Sequence, residues 1–353
     1  ADASSPAPSL DAQDEMPKEA DSSAIADAAT YPSDCPSPRR PYHVLLTASS
    51  GQYQFWQTRI FHHHYLRMRA MDRCGEVGGF TRLLTLPEGR AEDSLSDEMR
   101  TIVVAELKKG EDLGFVVLNR PHSVVVALGR GDLVIPEEYI LVCETDHLFL
   151  KVIPNLASAD EAVGYPFHYM VPTRNAITRA IVRKFAGEAF YSQVQQVGPS
   201  PVLMTFSSLR RVASEWEDVS FALKRDAEAD AEFGWMLEMW GYSVAAAKVG
   251  IRHKLLNDFQ VESSSQFGND ITKNGVPNYY ILHYTFSHEY SAEGVAMLDS
   301  KHGDWQFDKR QYQRVLPRSL PPPPRCVFEG AWTLWQLLHD AIVALPDWPD
   351  GAF

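Results

Sequence analysis

ILVCETDHLFL, residues 140–150, runs an apolar stretch into Glu144, Asp146 and His147 and straight out into another apolar stretch. Ionisable groups in such a place cost desolvation energy unless they are paired or bound to a metal. Read as one strand, the segment puts Glu144 and Asp146 on the same side, two residues apart. His147 faces the other way as long as the strand lasts and joins the two carboxylates only if it has ended. Two oxygen ligands at that spacing suit a hard divalent cation that keeps positions open for phosphate oxygens. The alternative for each carboxylate alone is a solvated loop.

Working outward, YHVLLTAS (42–49) reads as a strand and QYQFWQTRIFHHHYLRMRAM (52–71) as a helix, together a βα unit. GGFTRLLTL, RTIVVAEL and GFVVLNRP read as short strands. PHSVVVALGRG reads as a helix begun by Pro121 and stopped by Gly129. The pattern predicts an α/β fold with a mainly parallel central sheet flanked by helices, whose ligands gather at the carboxyl ends of the strands. In the second half, SPVLMTF enters helices, ADAEFGWMLEMWGYSVAAAKVG reads as one aromatic-rich helix, NYYILHYTF as a late strand and GDWQFDKRQY as a loop. LPPPPR must be extended, and EGAWTLWQLLHDAIVAL reads as an amphipathic helix docked on the domain.

The 353 residues, 45% hydrophobic with a net charge of −13, can fill a large core and argue against broad nucleic-acid binding. No apolar run is long enough to span a bilayer. Residues 1–41 read as a flexible acidic leader without signal-peptide features, 42–316 as the main folded domain, and 317–353 as a Pro-rich segment with a C-terminal helix packed on it. Of the four cysteines, Cys143 is expected to be a buried free thiol and Cys35 with Cys326 the first pair to suspect. GxGxxG, GxxxxGK[ST] and GxSxG are all absent, which removes the signatures of Rossmann dehydrogenases, P-loop NTPases and α/β-hydrolases.

Several further residues carry chemistry. His283 interrupts a hydrophobic strand and is either a third metal ligand or a core histidine held by backbone. Lys309 and Arg310 could neutralise a diphosphate, and Thr81-Arg82 and Asn119-Arg120 sit at strand ends on the ligand edge. Glu238 lies among Trp235 and Trp240, so it needs a partner or has a perturbed pKa as an acceptor-side catalytic group. The two tryptophans are sugar platforms or plain core. His62, His63 and His64 point about 100° apart on a helix and cannot share one ion.

HVLLTAS, WQTRI, GEVGGFTRLL, VVLNRP, ETDHLF, FGWMLEMWGY, ILHYTF and WQFDKR, in this order, resemble the plant hydroxyproline O-arabinosyltransferases over nearly the whole chain from Tyr42. The resemblance implies a GT-A-like fold and a type II membrane protein of the Golgi lumen, with membrane contact only through an anchor that this chain lacks. It implies retaining transfer of L-arabinofuranose from UDP-β-L-arabinofuranose to 4-hydroxyproline in an extended, polyproline II acceptor. The cation would be Mn²⁺, with Mg²⁺ second. Asp146 would bind the metal and act in catalysis, Glu144 would lie on the metal or the ribose, and His283 would be the late histidine ligand. Lys309 and Arg310 would hold the diphosphate, and Thr47, Ala48, Arg82, Asn119 and Arg120 would line the nucleotide. Thr145 stands where the family pattern has Pro. The alternatives are a peptidyl-serine galactosyltransferase using UDP-galactose and a non-catalytic binder of Pro-rich glycopeptides.

Overall fold

A computed structural model describes residues 32–263, 271–285, 287–297, 303–315, 317–345 and 348. The chain divides into two compact units, 1–35 and 36–353. In the first, only residues 32–35 are described, a turn in which the Cys35 amide donates to the Pro32 carbonyl at 3.0 Å. The leader expected over 1–41 therefore lies, up to residue 31, outside the described residues.

The second unit begins with β1 (Tyr42–Ser49), α1 (Gln52–Met71), β2 (Val77–Leu86), α2 (Leu95–Glu98), β3 (Thr101–Ala105), α3 (Asn119–Arg130) and β4 (Tyr139–Glu144). It continues through β5 (His147–Phe149), β6 (Glu161–Gly164), α4 (Ala176–Ala186), β7 (Val202–Thr205), α5 (Phe206–Arg225), α6 (Ala227–Phe233) and α7 (Leu237–Lys248). The remainder holds β8 (Arg252–Leu255), β9 (Gln260–Glu262), β10 (Thr272–Lys273), β11 (Val276–Pro277), β12 (Ile281–His283), β13 (His288–Tyr290), β14 (Trp305–Phe307) and α8 (Glu329–Ala344).

Seven strands form one sheet in the order β3-β2-β1-β4-β7-β6-β8. β3, β2, β1 and β4 are parallel, β7 is antiparallel to both its neighbours, and β8 is parallel to β6. The α/β class and the mainly parallel sheet are as expected. The apolar runs of β1 and β4 are continuous because both faces are covered. Leu45, Ile140 and Val142 pack under α3, α5 and α7, while Val44, Leu46, Leu141 and Cys143 pack under α1 with Phe55, Phe61 and Tyr65. Full burial of such a side chain stabilises by about 1.5–3 kcal/mol. Register aligns Thr47 with Glu144, so the ends of β1 and β4 lie side by side at the carboxyl edge.

A second sheet, β5-β12-β9, branches from that edge. Its register sets His147 opposite His283 and His283 opposite Glu262.

Several expectations are corrected. VVLN is not a strand: Val116–Leu118 is a 3₁₀ turn and Asn119 opens α3. The Asn119 side chain closes that turn by accepting from the Leu107 amide at 2.8 Å and donating to the Val116 carbonyl at 3.1 Å. α3 passes through Gly129 and ends at Gly131, whose φ of 74° is the left-handed stop. The aromatic-rich helix is broken into α6, a 3₁₀ turn at Gly234–Met236 and α7, because Gly234 takes φ 50°. WQF is strand β14, paired antiparallel with β13, and not a loop. Cys326 is a free thiol, whereas Cys35 and Cys74 are disulfide-bonded, so the suspected Cys35–Cys326 pair is wrong. Cys143 is buried and free as expected.

Candidate active site

A cleft of about 210 Å³ opens at the carboxyl edge of β1 and β4. Thr47, Ala48, Asn119, Arg120, Glu144, Asp146 and Lys309, all expected at a ligand site, line it. Tyr53, Gln54 and Gln57 of α1 complete one wall, although nothing in the sequence reading had singled them out. The small-residue turn between β1 and α1 was the signal that could have found them. Gln54 ties the two elements together by accepting from the Ser49 amide at 2.6 Å.

β4 ends at Glu144 and β5 begins at His147, with a turn between them. Strand alternation therefore does not govern Asp146 and His147, and the predicted Glu144–Asp146 pair is not the one formed. Asp146, His147 and His283 instead offer ligand atoms within 4.8 Å of one another, all three buried. The Asp146 carboxylate lies 3.3 Å from His283 Nε2 and also accepts from the Lys309 ammonium. His283 Nδ1 faces Glu262 Oε1 at 3.0 Å, a partner that sequence reasoning missed.

The electrostatics follow from these contacts. Burial alone would raise Asp146, but the Lys309 and His283 charges hold it well below the usual carboxylate range. Burial opposes a charge on His283, yet Glu262 and Asp146 raise it well above its ordinary value. Burial and the neighbouring His283 charge push His147 far down, so its ring is neutral. Its Nε2 is buried without a hydrogen-bond partner. An orphaned imidazole nitrogen beside a carboxylate and a second imidazole is a donor set that fits a divalent cation.

Glu144 turns to Arg120 instead, at 2.9 Å, and the same guanidinium reaches Glu238 at 3.2 Å. Glu238 is 1% exposed and is not among the residues lining the cleft. Burial lifts its pKa to about 7 against the pull of Arg120. Glu238 thus has both the partner and the perturbed pKa expected of it, and it meets the cleft through Arg120.

Other expected residues lie elsewhere. Thr81 is fully buried and bonds His43 Nε2 at 2.8 Å inside the sheet. Arg82 is consumed by a two-pronged pair with Asp93 at 2.7 and 3.0 Å. Arg310 is exposed and closes on Asp308 at 2.7 Å, leaving Lys309 alone at the cleft. Trp240, 2% exposed, stacks on Phe233 in the helical core, which excludes it as an acceptor platform. Trp235 is 57% exposed and its ring centroid lies 5.5 Å from that of Tyr169, itself 39% exposed. His64 is buried and bonds the Leu337 carbonyl at 3.1 Å, a packing role as expected.

In this α/β fold a polar cleft and a carboxylate–histidine cluster lie at the carboxyl edge of the parallel strands, where open α/β sheets carry their ligands. Profiles of the hydroxyproline O-arabinosyltransferase family match residues 42–255 (N-terminal domain) and 280–349 (C-terminal domain). Hydroxyproline O-arabinosyltransferase RDN2 of Medicago truncatula is 39% identical over 316 residues, spanning 88% of this chain and 82% of its own. Hydroxyproline O-arabinosyltransferase 3 of Arabidopsis thaliana is 38% identical over 311 residues, 87% of this chain and 82% of its own. Peptidyl serine alpha-galactosyltransferase of Arabidopsis thaliana is 24% identical over 77% of this chain and 32% of its own. Among solved structures, the galactosyltransferase LgtC with donor and acceptor sugar analogs superposes with a TM-score of 0.42 at 10% identity, covering 87% of this chain and 98% of its own. The chain belongs to the hydroxyproline O-arabinosyltransferase family and is a glycosyltransferase.

Proposed function

We propose that this chain is a metal-dependent, retaining glycosyltransferase of GT-A type that moves L-arabinofuranose from UDP-β-L-arabinofuranose to the 4-hydroxyl of hydroxyproline in proline-rich secreted or cell-wall chains. The observation that carries the reading is the convergence of Asp146, His147, His283 and Lys309 at a cleft in a chain of this family.

Asp146, His147 and His283 would hold the cation, Mn²⁺ first and Mg²⁺ second. When bound, it supplies positive charge to the departing diphosphate. Lys309 and Arg120 add charge-assisted hydrogen bonds to the same oxygens. Glu144 and Glu238 grip Arg120 from two sides and so fix where its remaining donors point. Thr47, Ala48 and Asn119 line the nucleotide. No carboxylate among the cleft-lining residues is free of a cationic partner to serve as a covalent nucleophile. Retention then proceeds by front-face attack, with the acceptor hydroxyl giving its proton to the leaving phosphate oxygen. Trp235 and Tyr169 offer an aromatic ridge for the pyrrolidine rings of an extended acceptor.

We also propose a place in the Golgi lumen as a type II membrane protein, a reading that rests on the resemblance of the sequence motifs alone. No described helix is long and apolar enough to cross a membrane.

A donor screen tests the reading. UDP-arabinofuranose, UDP-galactose and other UDP-sugars are offered with a hydroxyproline peptide and its proline and serine counterparts, with Mn²⁺ or chelator. Arabinose transfer to the hydroxyproline peptide alone, lost in chelator and β-linked in the product, is expected. Galactose transfer to serine overturns it.

A further inference from the structure

The C-terminal region holds an arrangement that the cleft does not use. Residues 321–324 are four successive prolines, which carry no amide N–H, so only their carbonyls and ring faces can hold the segment in place. Pro317, Leu320 and Pro323 are buried, while Arg318, Ser319, Pro321 and Pro322 are exposed. Burial with a period of three is that of a polyproline II helix lying with one edge against a surface.

That surface is built from tryptophans. Trp305 of β14 donates its indole N–H to the Pro321 carbonyl at 2.9 Å. From α8, Trp335 donates to the Leu320 carbonyl at 2.9 Å and Trp332 to the Pro324 carbonyl at 3.2 Å. The rings of Trp332 and Trp335 meet edge to face at 5.4 Å. A small apolar pocket lined by Phe307, Leu334 and Leu338 lies among these rings, with Leu320 and Pro321 on its wall. Aromatic ridges whose N–H groups meet the carbonyls of a donor-free backbone are how proline-rich ligands are gripped.

We propose that Trp305, Trp332 and Trp335 form a polyproline II-binding surface, that residues 317–324 are its resident intramolecular occupant, and that a proline-rich chain supplied in trans competes for it. The resident segment itself states the chemistry of the guest. A tethered occupant acts at an effective concentration in the millimolar range, so a guest wins only when the tether's grip is weakened or the guest offers more surface. β14 begins at Trp305 and ends at Phe307, two residues before Lys309 at the cleft, so the surface and the cleft share one short segment of chain. Use of the surface to hold a long acceptor rests on the arabinosyl-transfer reading; the binding itself does not.

The test uses fluorescently labelled decaproline, which has no hydroxyl and so cannot be an acceptor, with anisotropy as the readout. In Leu320→Ser/Pro323→Ser two of the three inward residues are replaced, and decaproline binds at least about tenfold more tightly than to the parent. Adding Trp335→Phe, which keeps an aromatic ring but deletes the N–H donor, removes most of that gain. Equal affinity of parent and double variant, or no effect of Trp335→Phe, overturns the proposal. If the double variant loses its native circular dichroism, the single variant Pro323→Ser decides: it binds decaproline more tightly than the parent, and equal affinity overturns the proposal.

Discussion

Lys309→Met is the perturbation that separates the cation-site reading from a purely structural salt bridge. In the parent, the Lys309 ammonium sits on the buried Asp146 carboxylate, which His283 Nε2 also faces at 3.3 Å. Methionine keeps an unbranched apolar stem one atom shorter and removes the charge. Deleting one partner of a buried pair costs about 3–5 kcal/mol, because the remaining charge stays buried without its counterpart. At about 2 °C per kcal/mol for a domain of this size, the melting midpoint in chelator falls by roughly 6–10 °C. Mn²⁺ at a hundredfold excess over its dissociation constant returns about 2.7 kcal/mol to any state that binds it. That gain is larger in Lys309→Met, whose Asp146 keeps only the His283 contact, and smaller in the parent, where the cation must also displace the ammonium. Scanning calorimetry of both proteins with chelator and with Mn²⁺ gives the comparison. A variant melting within about 1 °C of the parent in chelator, or an equal Mn²⁺ response in both, refutes the reasoning.

Arg82→Met breaks the buried pair with Asp93 and should cost about 3 kcal/mol in urea unfolding while leaving the donor dissociation constant unchanged, since Arg82 does not reach the cleft. Trp235→Ala should raise the acceptor KM several-fold with melting unchanged, whereas Trp240→Ala should destabilise by about 3–5 kcal/mol through lost core packing. Steady-state kinetics and thermal melts on the two variants read both outcomes. Glu137 supplies a pH test: burial alone would raise it, but bonds from His43 and the Gly79 amide bring it to about 2. A depressed carboxylate stabilises fully above its unfolded pKa, so this contribution, about 1–2 kcal/mol after screening, is present above pH ~4.5 and lost as pH falls toward 2. Stability against pH should therefore fall less steeply in that window for Glu137→Gln, and parallel curves would remove Glu137 from the account.

The parallel half of the sheet was legible because strands buried on both faces leave unbroken apolar runs, as in β1 and β4. The β-branched run at 116–118 misled because period alone cannot separate a short strand from the start of a buried helix, and the closing Asn119 bonds are invisible in one dimension. At the site, Asp146, His283 and Lys309 were legible as interruptions or as a basic pair. The break between β4 and β5 was not, because it is fixed by antiparallel pairing of β5 with the distant β12. That pairing swings His147 into the cluster and leaves Glu144 to Arg120. The two tryptophans of one apolar run were likewise separated by the Gly234 turn, which exposes Trp235 and buries Trp240.

The charge balance of the cleft bears on the proposed cation. Glu144, Asp146, Glu238 and Glu262 gather around Arg120, Lys309 and the protonated His283. Burial pushes Glu238 to about 7, so it is half neutral near neutral pH and the set as a whole is close to balanced. The proposed nucleoside diphosphate would bring two or more negative charges into this partly buried space, where uncompensated charge is expensive. Lys309 and Arg120 cannot meet that demand alone, because each already neutralises a carboxylate. Asp146, His147 and His283 would hold a divalent cation, which would supply positive charge there; with Asp146 and His283 so engaged, Lys309 would be free to donate toward a bound phosphate. A site that only stabilised the fold would gain nothing from leaving the His147 nitrogen without a partner.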